Sequence, residues 1–256
     1  MVYACLKLNS YKATLSCEVR MEKITVTILY DNCKVSEDFQ EGWGFSALIE
    51  IGHRKILFDT GNDRDSFFFN LEKLGIDCGE ITDVVFSHKH GDHVAGCKEI
   101  LGKMRDDCRV YLPKGFPSKW VPKNLQIHKV SDFQEIEQNV FSMVLKGGVF
   151  LHEQSLILQT EKGLIVITGC AHPGITKILE SAQKRLKAPL YLALGGFHLF
   201  RKSSHAIEEI VHQFQSLGVN RVAPCHCSGE VAIRKFQEAY QQGFYKVGTG
   251  LVLTLS

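Results

Sequence analysis

The sequence predicts an α+β fold in which two packed β-sheets carry helices on their outer faces. Runs rich in β-branched and aromatic residues occur in both halves of the chain, for example at Ile24–Tyr30 and Leu190–Leu194. Segments with helical spacing of apolar residues lie between these runs, as at Ile175–Leu186. The chain has 256 residues, of which 45% are hydrophobic, so it can fill one sizeable core.

The first half of the chain is predicted to alternate strands with helices around a sharp loop, which holds Ser87 to Asp92. The predicted strands are Ile24–Tyr30, Phe45–Ile51, Lys55–Phe58 and Val84–Phe86, and the predicted helices are Asp65–Leu74 and Val94–Leu101.

The second half is predicted to begin with antiparallel strands and to end with alternating strands and helices. Short apolar runs broken by Gly, Pro and polar residues predict a second set of antiparallel strands from Val110 to Gln159. Leu156–Gln159 and Leu164–Thr168 form a predicted hairpin. The elements predicted after it are a helix at Ile175–Leu186, a strand at Leu190–Leu194, a helix at Ala206–Leu217, a strand at Arg221–Ala223 and a helix at Val231–Gln241.

Composition and charge predict a single domain and argue against a nucleic-acid-binding protein, a membrane-spanning protein and a disulfide-rich scaffold. Residues 21–256 are predicted to form one domain after an N-terminal extension, residues 1–20, because no linker-like segment marks another boundary. The net charge is +2 and the basic residues are scattered, which argues against a nucleic-acid partner. No apolar run has the length of a membrane span. The nine cysteines are an odd number in a chain that can build its own core, which favours a reducing cytoplasm over a disulfide scaffold.

Four potential metal ligands are clustered in the predicted loop. His88 and His90 are separated by one residue, so in an extended segment both imidazoles point to the same side and can share one cation. A turn at Gly91 into the following helix would aim Asp92 and His93 at a neighbouring position. The pattern predicts two metal ions that activate a water molecule for hydrolysis.

This loop, together with Ile56-Leu57-Phe58-Asp59-Thr60-Gly61, resembles the motifs of the metallo-β-lactamase superfamily, and the resemblance covers residues 21–256. It implies a four-layer αβ/βα sandwich with two mixed sheets and external helices. It also implies two divalent metal ions, with zinc as the first candidate and iron or manganese as alternatives. In such proteins the strand-ending aspartate orders the metal loop through hydrogen bonds without binding metal, which is the role expected of Asp59. The alternative is an ordinary turn aspartate.

Cys170 stands where the superfamily usually has a bridging aspartate after Thr-Gly. A thiolate there can bind zinc or iron, and a purely structural role for this strand-end residue is equally compatible with the sequence.

For the remaining ligand of the first metal, His172 is preferred because the turn Pro173-Gly174 fixes its direction. His152 is the alternative, since it lies at about the distance from Cys170 where the superfamily often has a histidine.

Two further histidines follow late strands. His226, in Pro224-Cys225-His226-Cys227, matches the last metal histidine of the superfamily and should complete the second site. His198 lies shortly after Gly195-Gly196, whose lack of side chains lets a ligand approach the backbone. It is expected to face the substrate, where it could donate a proton or bind a phosphate oxygen, or to lie beside the metals. An ordinary surface histidine is the alternative. Asp92 is expected to orient the attacking water as well as to hold metal.

The motifs around Cys170, His198 and His226 resemble a subgroup of metal-dependent hydrolases related to the archaeal dihydropterin-ribofuranosylaminobenzene phosphate synthase. Together with a water activated by two cations, this resemblance predicts a hydrolase acting on a small molecule that contains a phosphoester or a pyrophosphate, although the same metal chemistry would also suit an acyl substrate. The alternatives are a transferase that joins a pterin pyrophosphate to an arylamine, a redox di-iron protein and a non-catalytic sensor of metal or ligand. A redox centre fits less well, because flavodiiron proteins have a glutamate where this chain has His90, and they need a flavin domain.

Overall fold

A computed structural model describes residues 23–255, so the predicted extension at residues 1–20 lies outside the described residues. Within the described range thirteen strands are present: β1 (Ile24–Tyr30), β2 (Ser46–Ile51), β3 (Arg54–Phe58), β4 (Asp83–Val85), β5 (Arg109–Pro113), β6 (Gln126–Val130), β7 (Phe133–Glu137), β8 (Val140–Lys146), β9 (His152–Thr160), β10 (Gly163–Thr168), β11 (Leu190–Gly196), β12 (Arg221–Cys225) and β13 (Val252–Leu255). The same range holds six α-helices: α1 (Arg64–Lys73), α2 (Gly91–Val94), α3 (Cys97–Leu101), α4 (Ile175–Leu186), α5 (Ser204–Ser216) and α6 (Glu230–Tyr240).

The described strands form two mixed sheets. The first has the order β13-β1-β2-β3-β4-β5-β6 and the second the order β12-β11-β10-β9-β8-β7. In the first sheet the pairs from β13 to β3 are antiparallel and the pairs from β3 to β6 are parallel. In the second sheet the pairs from β7 to β10 are antiparallel and those from β10 to β12 are parallel. The prediction of an α+β sandwich with two mixed sheets is therefore confirmed.

Three apolar cores define four layers. The core between the sheets combines residues such as Val26 and Ile28 of β1 with Leu156 of β9 and Ile165 of β10. A second core lies between the other face of the second sheet and α4, α5 and α6, and a third lies between the first sheet and α1 and α3. Because both faces of the central strands are covered, these strands are nearly continuous apolar runs and do not alternate strictly with polar residues.

Two details of the predicted layout are wrong. The strands β5 and β6 belong to the first sheet and run parallel to β4, so only β7, β8 and β9 of the predicted antiparallel set lie in the second sheet. A short apolar run indicates that a strand is buried, but it does not indicate which sheet the strand joins, because strands of both sheets are buried. The helix predicted at Val94–Leu101 is divided into α2 and α3, which are separated by Ala95 and Gly96.

The loops that follow β3, β4, β10, β11 and β12 carry the candidate site residues. These strands lie in the parallel parts of the two sheets, where carboxyl ends meet at one edge and the loops after them converge. None of the helices in residues 23–255 has the length and apolar character required to cross a bilayer. The seven cysteines of that range are all free thiols.

Candidate metal centre

The loop after β4 presents its polar side chains in two directions. His88 and His90 lie in extended backbone before α2, and His90 is the residue that precedes the first turn of this helix. Asp92 and His93 lie within α2, which begins at Gly91. The change from extended to helical backbone at Gly91 therefore separates the two pairs of side chains, as the sequence predicts.

The first group of converging donor atoms consists of His88, His90 and His172. One donor atom from each lies within 4.8 Å of the others, and Nε2 of His88 lies 3.0 Å from Nδ1 of His90. His88 is fully buried, and His90 is exposed. Three imidazoles around one point match the protein ligands of a catalytic zinc ion, which keeps one coordination position open.

The second group consists of Asp92, His93, Cys170 and His226, with donor atoms also within 4.8 Å of one another. Sγ of Cys170 lies 3.1 Å from Nε2 of His93 and 3.4 Å from Nε2 of His226. Oδ2 of Asp92 lies 3.4 Å from the same nitrogen of His226. The thiol therefore points into the group, which favours the ligand role over the purely structural one.

The two groups are adjacent, because the ring centroids of His88 and His93 are 4.3 Å apart. Each group also contains residues of both sheets. The first sheet contributes the loop after β4, whereas Cys170, His172 and His226 follow strands β10 and β12 of the second sheet. The site thus lies where the two sheets meet at one edge of the sandwich.

Asp59, at the end of β3, joins the loop after β4 to the second group through hydrogen bonds. Its Oδ1 accepts from the backbone N–H of Ser87 at 2.7 Å, and its Oδ2 accepts from the Ser87 hydroxyl at 2.5 Å. The same Oδ2 lies 2.8 Å from Nδ1 of His93. These contacts leave Nε2 of His93 free to face Cys170, and they match the hydrogen-bonding role expected of Asp59.

Glu153, in β9, holds the loop of Cys170 and His172 and was missed in the sequence. Its Oε1 accepts from the backbone N–H groups of Cys170 at 2.8 Å and Ala171 at 2.7 Å. Its Oε2 accepts from the backbone N–H of His172 at 2.8 Å and lies 2.7 Å from Nδ1 of the same residue. One buried carboxylate therefore orients the imidazole and fixes the backbone of its loop. In the sequence Glu153 lies between His152 and Gln154 at the polar start of β9, so no local signal marked it.

His226 and Asp92 also have partners that the sequence did not reveal. Nδ1 of His226 lies 3.0 Å from Oδ1 of Asn32, and the backbone N–H of His226 donates to Oδ1 of the buried Asp31 at 3.0 Å. Nε1 of Trp43 donates to Oδ2 of Asp92 at 3.0 Å. No sequence motif marks these three residues, which lie in the segment between β1 and β2.

Burial sets the charge of the central imidazoles. It lowers the pKa of His88 and of His93 to about 3, so both rings are neutral at pH 7 and offer a lone pair. Burial also acts to lower the pKa of His226, but hydrogen bonds with Asp92 and Cys227 outweigh it and raise the pKa to about 9. A cation that binds the second group must therefore displace a proton from His226.

His198 and His152, the other two candidates, lie in different places. The ring of His198 is 4.5 Å from that of His172, and one of its nitrogens lies within 4.8 Å of the thiols of Cys170 and Cys227. His152 joins none of the converging groups among residues 23–255. It lines a surface depression together with Lys89, Lys114 and Phe150. The structure thus brings His172, and not His152, to His88.

Comparison with known proteins shows the family to which this chain belongs. The family model described as anti-Pycsar protein Apyc1 matches residues 37–132. A protein of Methanocaldococcus jannaschii named 7,8-dihydropterin-6-methyl-4-(beta-D-ribofuranosyl)-aminobenzene-5'-phosphate synthase is 24% identical, over 89% of this chain and 95% of its own length. A crystal structure of Tm1679, described as a metal-dependent hydrolase of the β-lactamase superfamily, is 31% identical with a TM-score of 0.79, and the match covers 91% of this chain and 99% of that chain. The chain belongs to the metallo-β-lactamase superfamily.

Other members of the metallo-β-lactamase superfamily share the architecture at lower identity. The metallo-β-lactamase fold protein YhfI from Bacillus subtilis is 11% identical with a TM-score of 0.64, and the match covers 91% of this chain and 99% of that chain. At this identity the likeness shows the fold alone. It agrees with the four-layer sandwich described above.

The donor set of this superfamily member fits divalent cations. Imidazole nitrogens and one thiol supply the soft to intermediate donors that zinc and iron prefer, and Asp92 adds a carboxylate. Each of His93, His172 and His226 has its Nδ1 next to a protein oxygen, at 2.8, 2.7 and 3.0 Å, which is the arrangement that orients metal-binding histidines. Metal dependence is thus supported by the superfamily and by these side chains together.

Proposed function

We propose that this chain is a hydrolase that uses two divalent cations to activate water and cleaves a phosphoester or a pyrophosphate in a small molecule. The observation that carries the proposal is the convergence of two adjacent donor groups, whose imidazoles are oriented by buried carboxylates. When bound, two divalent cations lower the pKa of a water molecule between them toward neutrality and offset negative charge on the substrate.

In this proposal the side chains have separate roles. His88, His90 and His172 hold the first cation, and the second group, which consists of Asp92, His93, Cys170 and His226, holds the second. Oδ2 of Asp92 accepts a hydrogen bond from Trp43, which fixes this carboxylate where it can orient the attacking water. His198 lies beside His172 and is placed to donate a proton to the leaving group or to bind a phosphate oxygen.

Positive charge beside the first group supports an anionic substrate. Lys89 lies between the ligands His88 and His90 in the chain, and it lines a surface depression together with Lys114 and His152. Two lysine side chains beside the first group give this region positive charge that can attract an anionic substrate. The zinc, iron and manganese ions suggested by the sequence are all compatible with the imidazole and carboxylate donors, and the Cys170 thiol favours zinc or iron over manganese.

The test is the joint measurement of metal content and hydrolysis. Purified protein is analysed by inductively coupled plasma mass spectrometry and assayed with p-nitrophenyl phosphate, bis(p-nitrophenyl) phosphate and pyrophosphate esters. We expect the Asp92→Asn variant to lose hydrolysis by at least ~100-fold, because both the ligand and the water-orienting charge are weakened. A wild-type protein that binds metal but hydrolyses no member of the panel with any of the three metals would favour a sensor.

A transferase is the second candidate function, since the archaeal relative at 24% identity is named a synthase and the match covers 95% of that protein. Trp43 and Phe200 support this candidate, because they are 45% and 41% exposed and their rings are 5.5 Å apart near His226 and His198. Exposed aromatic rings at this place can stack on a planar ring such as a pterin. Pyrophosphate release that requires an arylamine acceptor would identify the transferase, and release without it would identify the hydrolase.

A further inference from the structure

A second thiol lies next to the proposed dinuclear centre. Sγ of Cys227, Sγ of Cys170 and a ring nitrogen of His198 all lie within 4.8 Å of one another. Cys227 is 1% exposed and Cys170 is 3% exposed, so both thiols are shielded from bulk solvent. The two donor groups described above use Cys170 but leave Cys227 and the ring nitrogen of His198 without a ligand role.

The backbone around Cys227 makes room for its sulfur. A Cβ atom at Gly196 would lie only 2.6 Å from Sγ of Cys227, so this position requires a residue without a side chain. His226, which precedes Cys227, has a φ of 47°, and His198 has a φ of 54°. Left-handed backbone at residues other than glycine is uncommon and is often found at functional sites. The local structure thus brings two sulfurs and one imidazole to the same point.

The chemistry of these three donors selects a class of cation. Two thiolates and one imidazole form a set of three protein ligands that is characteristic of zinc-like, thiophilic ions and that calcium, magnesium and manganese do not favour. The charges of two thiolates balance a divalent cation, which lowers the cost of burying it. The third donor, His198, is more exposed than either cysteine.

We propose that Cys170, His198 and Cys227 form a third cation position, selective for zinc-like ions, which shares the Cys170 thiolate with the second group. This proposal concerns binding and goes beyond the proposed hydrolase activity. It uses one ring nitrogen of His198, so the other nitrogen remains for the role in hydrolysis given above. The competing explanation is that Cys227 is structural and only donates a hydrogen bond to the backbone oxygen of Cys170, from which its sulfur lies 3.6 Å away. The two explanations differ in the number of cations and of metal–sulfur bonds.

The test is a Co²⁺ titration of metal-free, full-length protein under anaerobic conditions with a phosphine reductant. Co²⁺ is a zinc surrogate whose thiolate bonds produce near-ultraviolet charge-transfer absorption. We expect wild-type protein to bind a third equivalent that Cys227→Ser lacks, and this variant to lose about two-thirds of the charge-transfer absorption, because two of the three cobalt–sulfur bonds disappear. The matched control is Cys225→Ala, which removes a buried thiol two residues away that joins no donor group among residues 23–255. This control should keep all three equivalents.

His198→Ala, a variant at a more exposed position, tests the proposal even if Cys227→Ser fails to fold. We expect His198→Ala to weaken the third equivalent by at least ~10-fold while both thiolates and the first two equivalents remain. The proposal is wrong if wild-type protein binds only two equivalents, or if Cys227→Ser retains the full charge-transfer absorption. Wild-type protein that is saturated by two equivalents and hydrolyses the substrate panel would reject the third position and leave the proposed function intact. Protein that binds three equivalents without hydrolysing the panel would support the third position and reject the proposed function.

Discussion

Replacement of Glu153 by glutamine isolates the charge of the carboxylate that holds the loop of Cys170 and His172. Glu153 accepts three backbone hydrogen bonds of 2.7 to 2.8 Å from this loop and contacts Nδ1 of His172 at 2.7 Å. A glutamine oxygen can keep the two bonds at Cys170 and Ala171. The glutamine NH₂ group would then face the N–H donors of His172, so two hydrogen bonds are lost.

The size of the effect follows from those two bonds. A hydrogen bond to a charged group contributes about 1.5–3 kcal/mol, so the variant should lose about 3–6 kcal/mol of the free energy of unfolding. In a chain of this length each kcal/mol changes the melting temperature by about 2–4 °C, which gives a decrease of about 6–24 °C. Burial would raise the pKa of Glu153, but its hydrogen bonds with His172 and the nearby imidazoles outweigh burial and lower it, so the carboxylate is charged at pH 7.

The assay is thermal unfolding followed by circular dichroism at pH 7 in the presence of a chelator, so that bound metal does not contribute. The matched control is Glu161→Gln, which removes a carboxylate from the exposed turn between β9 and β10 and should unfold like wild-type protein. A decrease of less than about 3 °C for Glu153→Gln would refute the reasoning, because the lost hydrogen bonds would then contribute almost nothing.

Three further outcomes are expected. His90→Ala should lose metal and hydrolysis together, whereas His205→Ala, on the exposed face of α5, should lose neither when metal content and rate are measured side by side. Trp43→Phe removes the N–H that donates to Asp92, so kcat/KM should fall by about 2- to 12-fold with the melting temperature little changed; an unchanged kcat/KM would show that this bond does not orient the carboxylate. The pKa of Glu153 is lower in the folded protein than its ordinary value of 4.5, so its stabilisation is complete above about pH 4.5 and is lost as the pH falls below it. The difference in unfolding free energy between wild type and Glu153→Gln should therefore shrink from pH 7 to pH 3.5, and an undiminished difference would argue against a charge effect.

Much of the fold could be predicted because its signals are local. The bounds of β1 and α4 agree with the predicted Ile24–Tyr30 and Ile175–Leu186, where apolar residues follow the period of a strand or a helix. The parallel placement of β5 and β6 beside β4 could not be predicted in this way. Strand partners depend on contacts between distant segments, and a short buried run has the same composition whichever sheet it joins.

The candidate site was also predictable only where its signals are local in the sequence. His88 and His90, and likewise Asp92 and His93, belong to one compact motif, so the pairing of these donors was visible in the spacing of the sequence. Glu153 and Asn32 orient histidines that lie far away in the chain, and nothing in their own neighbourhoods indicates those partners. The choice between His172 and His152 also depended on tertiary structure, because His152 begins β9 and His172 follows β10, and both strands belong to the second sheet.

The proposed ligands come from both sheets, and this has a consequence for the stability of the whole molecule. A cation held by His88 and His172, or by His93 and His226, would be a cross-link between two halves that are otherwise joined by apolar contacts and by hydrogen bonds such as that from the His226 N–H to Asp31. Because the unfolded chain cannot present these donors together, a free cation at 100 times its dissociation constant would add about 2.7 kcal/mol to the free energy of unfolding. The metal supply of the cell would then determine how long each copy of the protein survives, in addition to whether it can turn over substrate.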